Sequence, residues 1–320
     1  MFKVGLVGIG DAGAHHARAL THLQQDGSLA WTAVCARDPA RLSAFPASDA
    51  TARFTSLDAL LGARVCDALI LATPDGLHPA QVMQCAAAGV HVLVEKPLAL
   101  TRPDAERAVD AARAANVHLA VGYHLRHHAA HRLALTQRAE LVGNLRTVFV
   151  RWAWPDPSTS GWRATGQDAR FWSLAALGTH GIDLALMFSG DASVDRVSSV
   201  LEPPTGMDRA AEVSFRLQSG VLVHISVSIA HRAISRVLLT GDAGEVEALG
   251  TLGARGDGEL FHRAPRQPPR ALSFEPIHPY TEQLRHFILQ APSGFVKDPA
   301  LLANLDVLDC ILPPGLEGAP

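Results

Sequence analysis

Met1-Phe-Lys-Val-Gly-Leu-Val-Gly-Ile-Gly-Asp-Ala-Gly13 is the stretch from which the rest of the chain is read. Val4, Leu6 and Val7 make a short apolar strand, and Gly8, Gly10 and Gly13 follow in G-x-G-x-x-G spacing ahead of a helix-like run from Ala14 to Leu23. Each glycine answers a separate need. The first permits the tight strand-to-helix turn, the second lets the backbone approach a pyrophosphate, and the third lets the helix close on the strand. The helix N-terminus then offers unpaired N–H groups and the positive end of its dipole to phosphate. Such spacing is a weak signal by itself; the strand before it and the helix after it make it a dinucleotide fingerprint. Gly8, Ile9, Gly10, Asp11, Ala12 and Gly13 are the expected contacts of that loop with the cofactor.

Composition bounds what else the chain can be. Its 320 residues, 48% of them hydrophobic, suit two domains with substantial cores. A formal net charge of −3 with both signs interspersed gives no basic face for nucleic acid and no polybasic run for a membrane surface. No apolar run is long enough to cross a bilayer, and a first strand at Lys3 leaves no room for a leader, so a cytoplasmic location is expected. Cys35, Cys66, Cys85 and Cys310 lack C-x-x-C spacing and read as free thiols in a reducing compartment. Lysine occurs only at Lys3, Lys96 and Lys297, which draws attention to any lysine in a special place.

Downstream of the fingerprint, Leu29–Cys35 reads as a second strand. A carboxylate about 20 residues past the last glycine normally accepts from the ribose hydroxyls of NAD. Here that position is Ala36, followed by Arg37, a pairing that suits a 2′-phosphate and favours NADP(H) over NAD(H). The alternative gives the ribose to Asp38 and leaves Arg37 in solvent. Ala52–Phe54 is a short third strand, with Ser56 capping a helix through Leu60. Asp67–Ala72 is continuously apolar, as a parallel strand buried on both faces should be, and ends in Thr73-Pro74, where the chain runs over the cofactor. A helix from Leu77 to Ala88 carries His78 in its first turn and stops at Gly89.

His91–Val94 opens a fifth strand that ends in Glu95-Lys96-Pro97. Ligands of open parallel sheets sit beyond the carboxyl ends of strands, so Lys96 faces the cleft and can hold a substrate hydroxyl or take part in proton transfer. Thr101-Arg-Pro-Asp104 has capping-box spacing and opens a helix to about Ala115, and Val117–Val121 is the sixth strand. Six alternations of strand and helix make residues 1–122 a doubly wound Rossmann domain.

Together with later motifs, these residues resemble the Gfo/Idh/MocA oxidoreductases over nearly the whole chain. The resemblance rests on Gly8-Ile-Gly-Asp-Ala-Gly13 with His16, on Ala72-Thr-Pro74 with His78, and on Glu95-Lys-Pro97 with Thr101. Gly122-Tyr-His-Leu-Arg126, Gly161-Trp-Arg163, Gly178-Thr-His180 with Asp183, and Pro279-Tyr-Thr-Glu-Gln-Leu-Arg-His-Phe287 complete it. It implies an α/β fold: the N-terminal Rossmann domain plus a substrate-binding and oligomerisation domain over 123–320 with a large, mostly antiparallel sheet. It also implies hydride transfer between a nicotinamide and the carbinol carbon of a sugar, cyclitol or related alcohol, with Lys96 and His180 catalytic. Thr73, Pro74, His78, Glu95 and Lys96 then fall on the cofactor side, as do Trp162 and Arg163 from the second domain, while Tyr123, Arg126 and Asp183 fall on the substrate side. The family's aspartate four residues before its histidine is Ala176 here. Either His180 works with Lys96 alone, or the chemistry is altered or lost. That departure keeps a second reading alive, a nicotinamide-binding regulator or sensor without turnover; a third is reduction of a non-sugar ring such as a dihydrodiol or tetrapyrrole.

In the second half, His124, His127, His128 and His131 would share faces if the segment were helical, but no cysteine accompanies them, and no metal is expected. Asn144–Trp154 alternates as a strand with one packed face, and Pro155–Arg170 is a long loop carrying Trp162 and Arg163. Phe171–Phe188 reads as a helix with His180 and Asp183 on one face. A neutral imidazole at His180 can accept the hydroxyl proton as hydride leaves, or as imidazolium donate one to a carbonyl, while Lys96 polarises that oxygen and Asp183 orients the histidine or its helix. Val194–Val200, Ala211–Leu217, Val221–Ile229 and Ile234–Thr240 are strands, the middle pair joined through Gln218-Ser-Gly220. Their sheet needs its outer face covered, which points to a homo-oligomer, dimer or tetramer. Arg255–Arg270 reads as loops between short strands, His278–Gln290 and Pro299–Ile311 as closing helices, and the Pro-Pro-Gly tail as frayed.

Overall fold

The computed structural model describes residues 1–156, 161–166, 168–204, 207–296, 298 and 300–311. The expected fraying of the tail after Ile311 and the helix start at Pro299 lie outside these residues. The chain divides into two compact units, residues 1–123 with 280–301, and residues 124–279 with the chain from 302 onward.

The first unit is built on six strands: β1 (Lys3–Val7), β2 (Ala30–Cys35), β3 (Ala52–Phe54), β4 (Ala68–Leu71), β5 (His91–Val94) and β6 (Leu119–Val121). They form one sheet in the order β3-β2-β1-β4-β5-β6, parallel throughout. Every residue of β4 is fully buried, as an unbroken Ala-Leu-Ile-Leu run demands of a strand covered on both faces. Between the strands lie α1 (Asp11–Gln25), α2 (Pro39–Ala44), α3 (Leu57–Ala63), α4 (His78–Ala87) and α5 (Arg102–Ala114). Ser56 caps α3 by accepting from the Ala59 N–H at 3.2 Å. The Thr101 hydroxyl accepts from the Asp104 N–H at 3.4 Å and donates to the Asp104 carboxylate at 2.7 Å.

Two local readings change. The helix drawn from Leu77 begins instead as a 3₁₀ turn over Asp75–Leu77 and becomes α-helical at His78. Helix α2 was not anticipated: Asp38 accepts from the Ala40 and Arg41 N–H groups at 2.9 and 3.2 Å, with Pro39 in the first turn. The helix α10, over Pro279–Gln290, belongs to this unit from Tyr280 onward. Its Arg285 reaches Asp26 at 3.1 Å and Ser28 at 3.3 Å, so the chain returns late to the unit it began with.

The second unit opens with a 3₁₀ turn over His124–His127, then α6 (Ala129–Thr136) and α7 (Arg138–Leu141). His128 is the N-cap of α6, its Nδ1 accepting from the Ala130 N–H at 3.2 Å, so the histidines do not share one helical face. Instead His124 and His128 reach the carbonyls of Gly253 and Asp257, at 3.2 and 3.1 Å, while His131 reaches the Leu125 carbonyl and the Thr251 hydroxyl, both at 2.9 Å. Among the described residues no group of three His, Cys, Asp or Glu side chains is placed to hold a metal ion.

The sheet of this unit has eight strands: β7 (Leu145–Ala153), β8 (Val194–Glu202), β9 (Ala210–Leu217), β10 (Leu222–Ser228), β11 (Arg236–Gly241), β12 (Glu245–Leu249), β13 (Glu259–Arg263) and β14 (Arg270–Ala271). Their order is β14-β13-β12-β11-β7-β10-β9-β8, antiparallel except where β7 and β10 pair in parallel. Strand β12 escaped the sequence reading. Its Glu247 is 4% exposed, held between Arg236 and Arg263 at 2.6 Å each, so a charged residue sits where a plain alternation would suggest an open face. Val148, Val150, Val213, Phe215, Val223, Ile225, Val237 and Leu239 form the buried side of the sheet. The segment expected as one helix over 171–188 divides into a π-helical turn at Leu174–Gly178 and α9 (Thr179–Ser189). A Cβ on Gly181 would lie 3.1 Å from Ile225 and 3.3 Å from Val150, which is why α9 can lie directly on β10 and β7. The four-residue turn α8 (Trp162–Thr165) precedes it, and α11 (Ala300–Cys310) closes the described chain. No helix of the described residues is long and apolar enough to cross a membrane.

Candidate active site

In the first unit the chain leaves β1, β4 and β5 through three neighbouring loops at the carboxyl ends of adjacent strands. The direction of the strand order reverses here, the place where doubly wound sheets take their ligands. Gly8 has φ +96°, and a Cβ there would fall 2.2 Å from the Ala72 carbonyl oxygen. A Cβ on Gly13 would fall 2.2 Å from the Gly8 carbonyl, so α1 can start only against a bare backbone. Gly10 differs: a Cβ there would meet nothing within 4 Å. Among the described residues nothing stands where a side chain at that position would go, whereas a pyrophosphate against the loop would ask for glycine. The residues fit a dinucleotide.

Around this loop, Ala36 is half-buried and Arg37 exposed, while Asp38 caps α2. Ile9 and Ala12 are half-buried and Asp11 is exposed in the first turn of α1. The Thr73 hydroxyl donates to Gln81 at 2.5 Å. The His78 ring, fully buried, spans the carbonyls of Pro97 at 2.8 Å and Thr73 at 2.9 Å, so it clasps the loops after β4 and β5 together. Lys96, 9% exposed, follows β5 and joins Pro97 through a cis peptide. Its N–H donates to Glu95 Oε2 at 3.2 Å, and Glu95 Oε1 lies 2.8 Å from His16 Nε2 on α1. Gly122 leaves room for this carboxylate, since a Cβ there would sit 3.1 Å from Glu95 Cδ; Tyr123 beside it is buried.

In the second unit His180, 2% exposed on α9, packs against the rings of His124 at 4.7 Å and Trp152 at 5.7 Å. Asp183, one turn on, is held by Arg126 in a bidentate ion pair. Ala176 lies in the π-helical turn, where the register of an ordinary helix does not run through to His180. The Thr179 carbonyl at the junction accepts from Asn304 Nδ2 at 2.8 Å. Trp162 and Arg163 lie on α8, the Arg163 guanidinium 4.2 Å from the indole centroid. Sequence reasoning missed Asp208. This buried carboxylate accepts from the Trp172 and Leu174 N–H groups at 2.6 and 2.8 Å and from the Ser173 hydroxyl, fixing the start of the segment that carries His180. Nothing local in Met207-Asp208 announces a cap for residues so far back along the chain.

Two family models match the chain. One, an oxidoreductase family with NAD-binding Rossmann fold, covers residues 2–123; the other, a GFO/IDH/MocA C-terminal domain, covers residues 132–247. The chain is 34% identical over 173 residues to 1,5-anhydro-D-fructose reductase of Ensifer adhaerens, 52% of each chain. It is 30% identical over 220 residues to dTDP-3,4-didehydro-2,6-dideoxy-alpha-D-glucose 3-reductase of Saccharopolyspora spinosa, 67% of this chain and 65% of that one. These matches thus span about half and just under two thirds of the relatives' own length. Among solved structures, KijD10, a 3-ketoreductase from Actinomadura kijaniata in complex with TDP-benzene and NADP, superposes with a TM-score of 0.81 at 22% identity over 97% of this chain and 96% of that one, a likeness of fold. The regulator reading finds no support among these relatives.

Proposed function

The chain belongs to the Gfo/Idh/MocA oxidoreductase family, and we propose that it is an NAD(P)-dependent oxidoreductase that moves a hydride between the cofactor and a sugar, cyclitol or related ketone or alcohol. The observation that carries this reading is Glu95-Lys96-Pro97 at the carboxyl end of β5, beside a glycine loop whose Gly10 is open to a ligand. The sugar reductases among the relatives support the substrate class.

The glycine loop and the start of α1 would hold the pyrophosphate, with Thr73, Pro74 and His78 shaping the loop beside it. When bound, the nicotinamide supplies a carbon that accepts or gives hydride. Lys96 polarises the reacting oxygen as charge develops on it, and His180 takes or gives the proton at that oxygen. The aromatic surroundings of His180 exclude water from its ring, and the Arg126–Asp183 pair fixes the helix face on which it stands. Tyr123 is assigned to the substrate side with Arg126 and Asp183, and Trp162 with Arg163 to the cofactor.

NADP(H) is favoured over NAD(H). Asp38, the carboxylate weighed as the alternative ribose contact, caps α2, while Arg37 is exposed next to it. A homo-oligomer through the eight-stranded sheet is part of the same reading. The test is hydride transfer with purified protein against a panel of keto-sugars, polyols and cyclitols, compared with Lys96→Ala. Turnover that the substitution leaves unchanged would sink the assignment of Lys96.

A further inference from the structure

A buried polar cluster stands behind Lys96. His16, on the second turn of α1, is fully buried, and Glu95 is 5% exposed. Their side chains meet at 2.8 Å, and the other Glu95 oxygen accepts the Lys96 N–H at 3.2 Å. Only Nε2 of His16 is engaged: its Nδ1 has no hydrogen-bond partner among the described residues. Two further groups face the cluster. Tyr280 of α10 meets the His16 ring edge-on at 5.0 Å and stacks on His15 at 5.1 Å. A carboxylate this deep is costly unless it is hydrogen-bonded, and here one oxygen is satisfied by the residue next in sequence and the other by the helix that begins at the glycine loop.

We propose that His16 is a positioning residue for Lys96: through Glu95 it sets the backbone and the local charge of the lysine, tying it to the helix that receives the cofactor. The role rests on the reading of Lys96 as the group that meets the reacting oxygen. Without a donor from His16 the charge of Glu95 is less compensated, and the neighbouring amine is held more firmly as ammonium, the form that does not acylate.

Because lysine occurs at only three positions, trace acylation with acetic anhydride followed by peptide mass spectrometry reads Lys96 directly, with the exposed Lys3 as internal reference and no substrate required. His16→Asn falls short of Glu95, whereas the amide of His16→Gln reaches the place of Nε2. We expect Lys96 to acylate at least threefold more slowly relative to Lys3 in His16→Asn and to recover in His16→Gln. Glu95→Gln, which removes the charge itself, is expected to acylate faster than wild type, and this second variant decides the matter where His16→Asn fails to fold. Unchanged acylation in both His16→Asn and Glu95→Gln would overturn the role, as would equal slowing in Asn and Gln variants, which marks mere packing. Such a result leaves the catalytic reading of Lys96 untouched, since that is judged by turnover of Lys96→Ala.

Discussion

Arg126 grips Asp183 with two nitrogens: Nε lies 2.9 and 2.8 Å from the two carboxylate oxygens, and Nη2 2.6 Å from Oδ1. Asp183 is 1% exposed and Arg126 retains 24%, so the pair is a carboxylate sunk in α9 with its counter-ion closing over it. Removing the arginine takes the bidentate counter-ion from a buried carboxylate, which costs on the order of 3 kcal/mol. Arg126→Ala should therefore lower the urea midpoint strongly. Arg126→Lys should recover only part of the loss, because an ammonium cannot form the fork. A double variant with Asp183→Asn should lose less than Arg126→Ala alone; equal losses would show that the pair is not the cause.

The end of β2 makes a separate prediction about the cofactor. If Arg37 meets a 2′-phosphate, Arg37→Ala should weaken NADPH binding by about tenfold or more, the value of one charge-assisted hydrogen bond, and leave NADH nearly unchanged. Asp38→Ala should cost about 1 kcal/mol of stability as a lost helix cap. It should leave the ratio of the two coenzyme affinities alone. A drop in NADH affinity in Asp38→Ala would return the ribose contact to that residue.

Buried histidines set the response to acid. Burial, with His91 and His286 facing it, pushes His118 down to about 4, and burial beside His128 pushes His131 down to about 3. Both folded values lie below the unfolded value near 6.5, so the unfolded chain binds more protons between them. Stability is then complete above about pH 6.5 and falls as pH drops through 4, by on the order of 3 kcal/mol for each ring. Chemical denaturation at pH 7, 6, 5 and 4 should show this decline, and His118→Gln should remove about half of it, leaving the share of His131. A profile flat to pH 4 would contradict the buried neutral state of these rings.

Asp208 should matter more than its place in a loop suggests. It caps the segment leading to His180 with two N–H acceptances and a hydroxyl, and Asp208→Ala leaves those donors buried and unmet. The loss should be roughly 2 kcal/mol. Asp208→Asn, which retains one acceptor oxygen, should lie between the wild type and Ala in the same denaturation experiment. Equal stability of all three proteins would remove Asp208 from the account.

How much of this was legible in the sequence depended on whether the signal was local. Strands β1, β4 and β5 and the caps at Ser56 and Thr101 announce themselves through runs of neighbouring residues, and the structure has them where the pattern puts them. Helix α2 was lost because Asp38 was weighed as a ribose ligand rather than as a cap, two uses of the same carboxylate that spacing does not separate. The shared faces of the histidine run were conditional on a continuous helix, and His128 breaks that helix by bonding its own backbone. Strand β12 hid its Glu247 behind two arginines from other strands, and α10 joins the first unit across most of the chain. The site followed the same rule. Gly8, Gly10 and Lys96 stand out through neighbouring residues alone, but Asp208 under α9 and His16 behind Glu95 are pairings of distant residues that only a folded chain brings together.

The central claim is that the glycine loop serves a nicotinamide cofactor, and a paired titration tests it most directly. NADPH and NADH would each be added to the purified protein, following the quenching of tryptophan fluorescence. The account predicts saturable binding, tighter for NADPH, and its loss when Gly10 is replaced by a bulky residue that fills the open space against the loop. Binding of neither coenzyme, or binding indifferent to Gly10→Val, would contradict it.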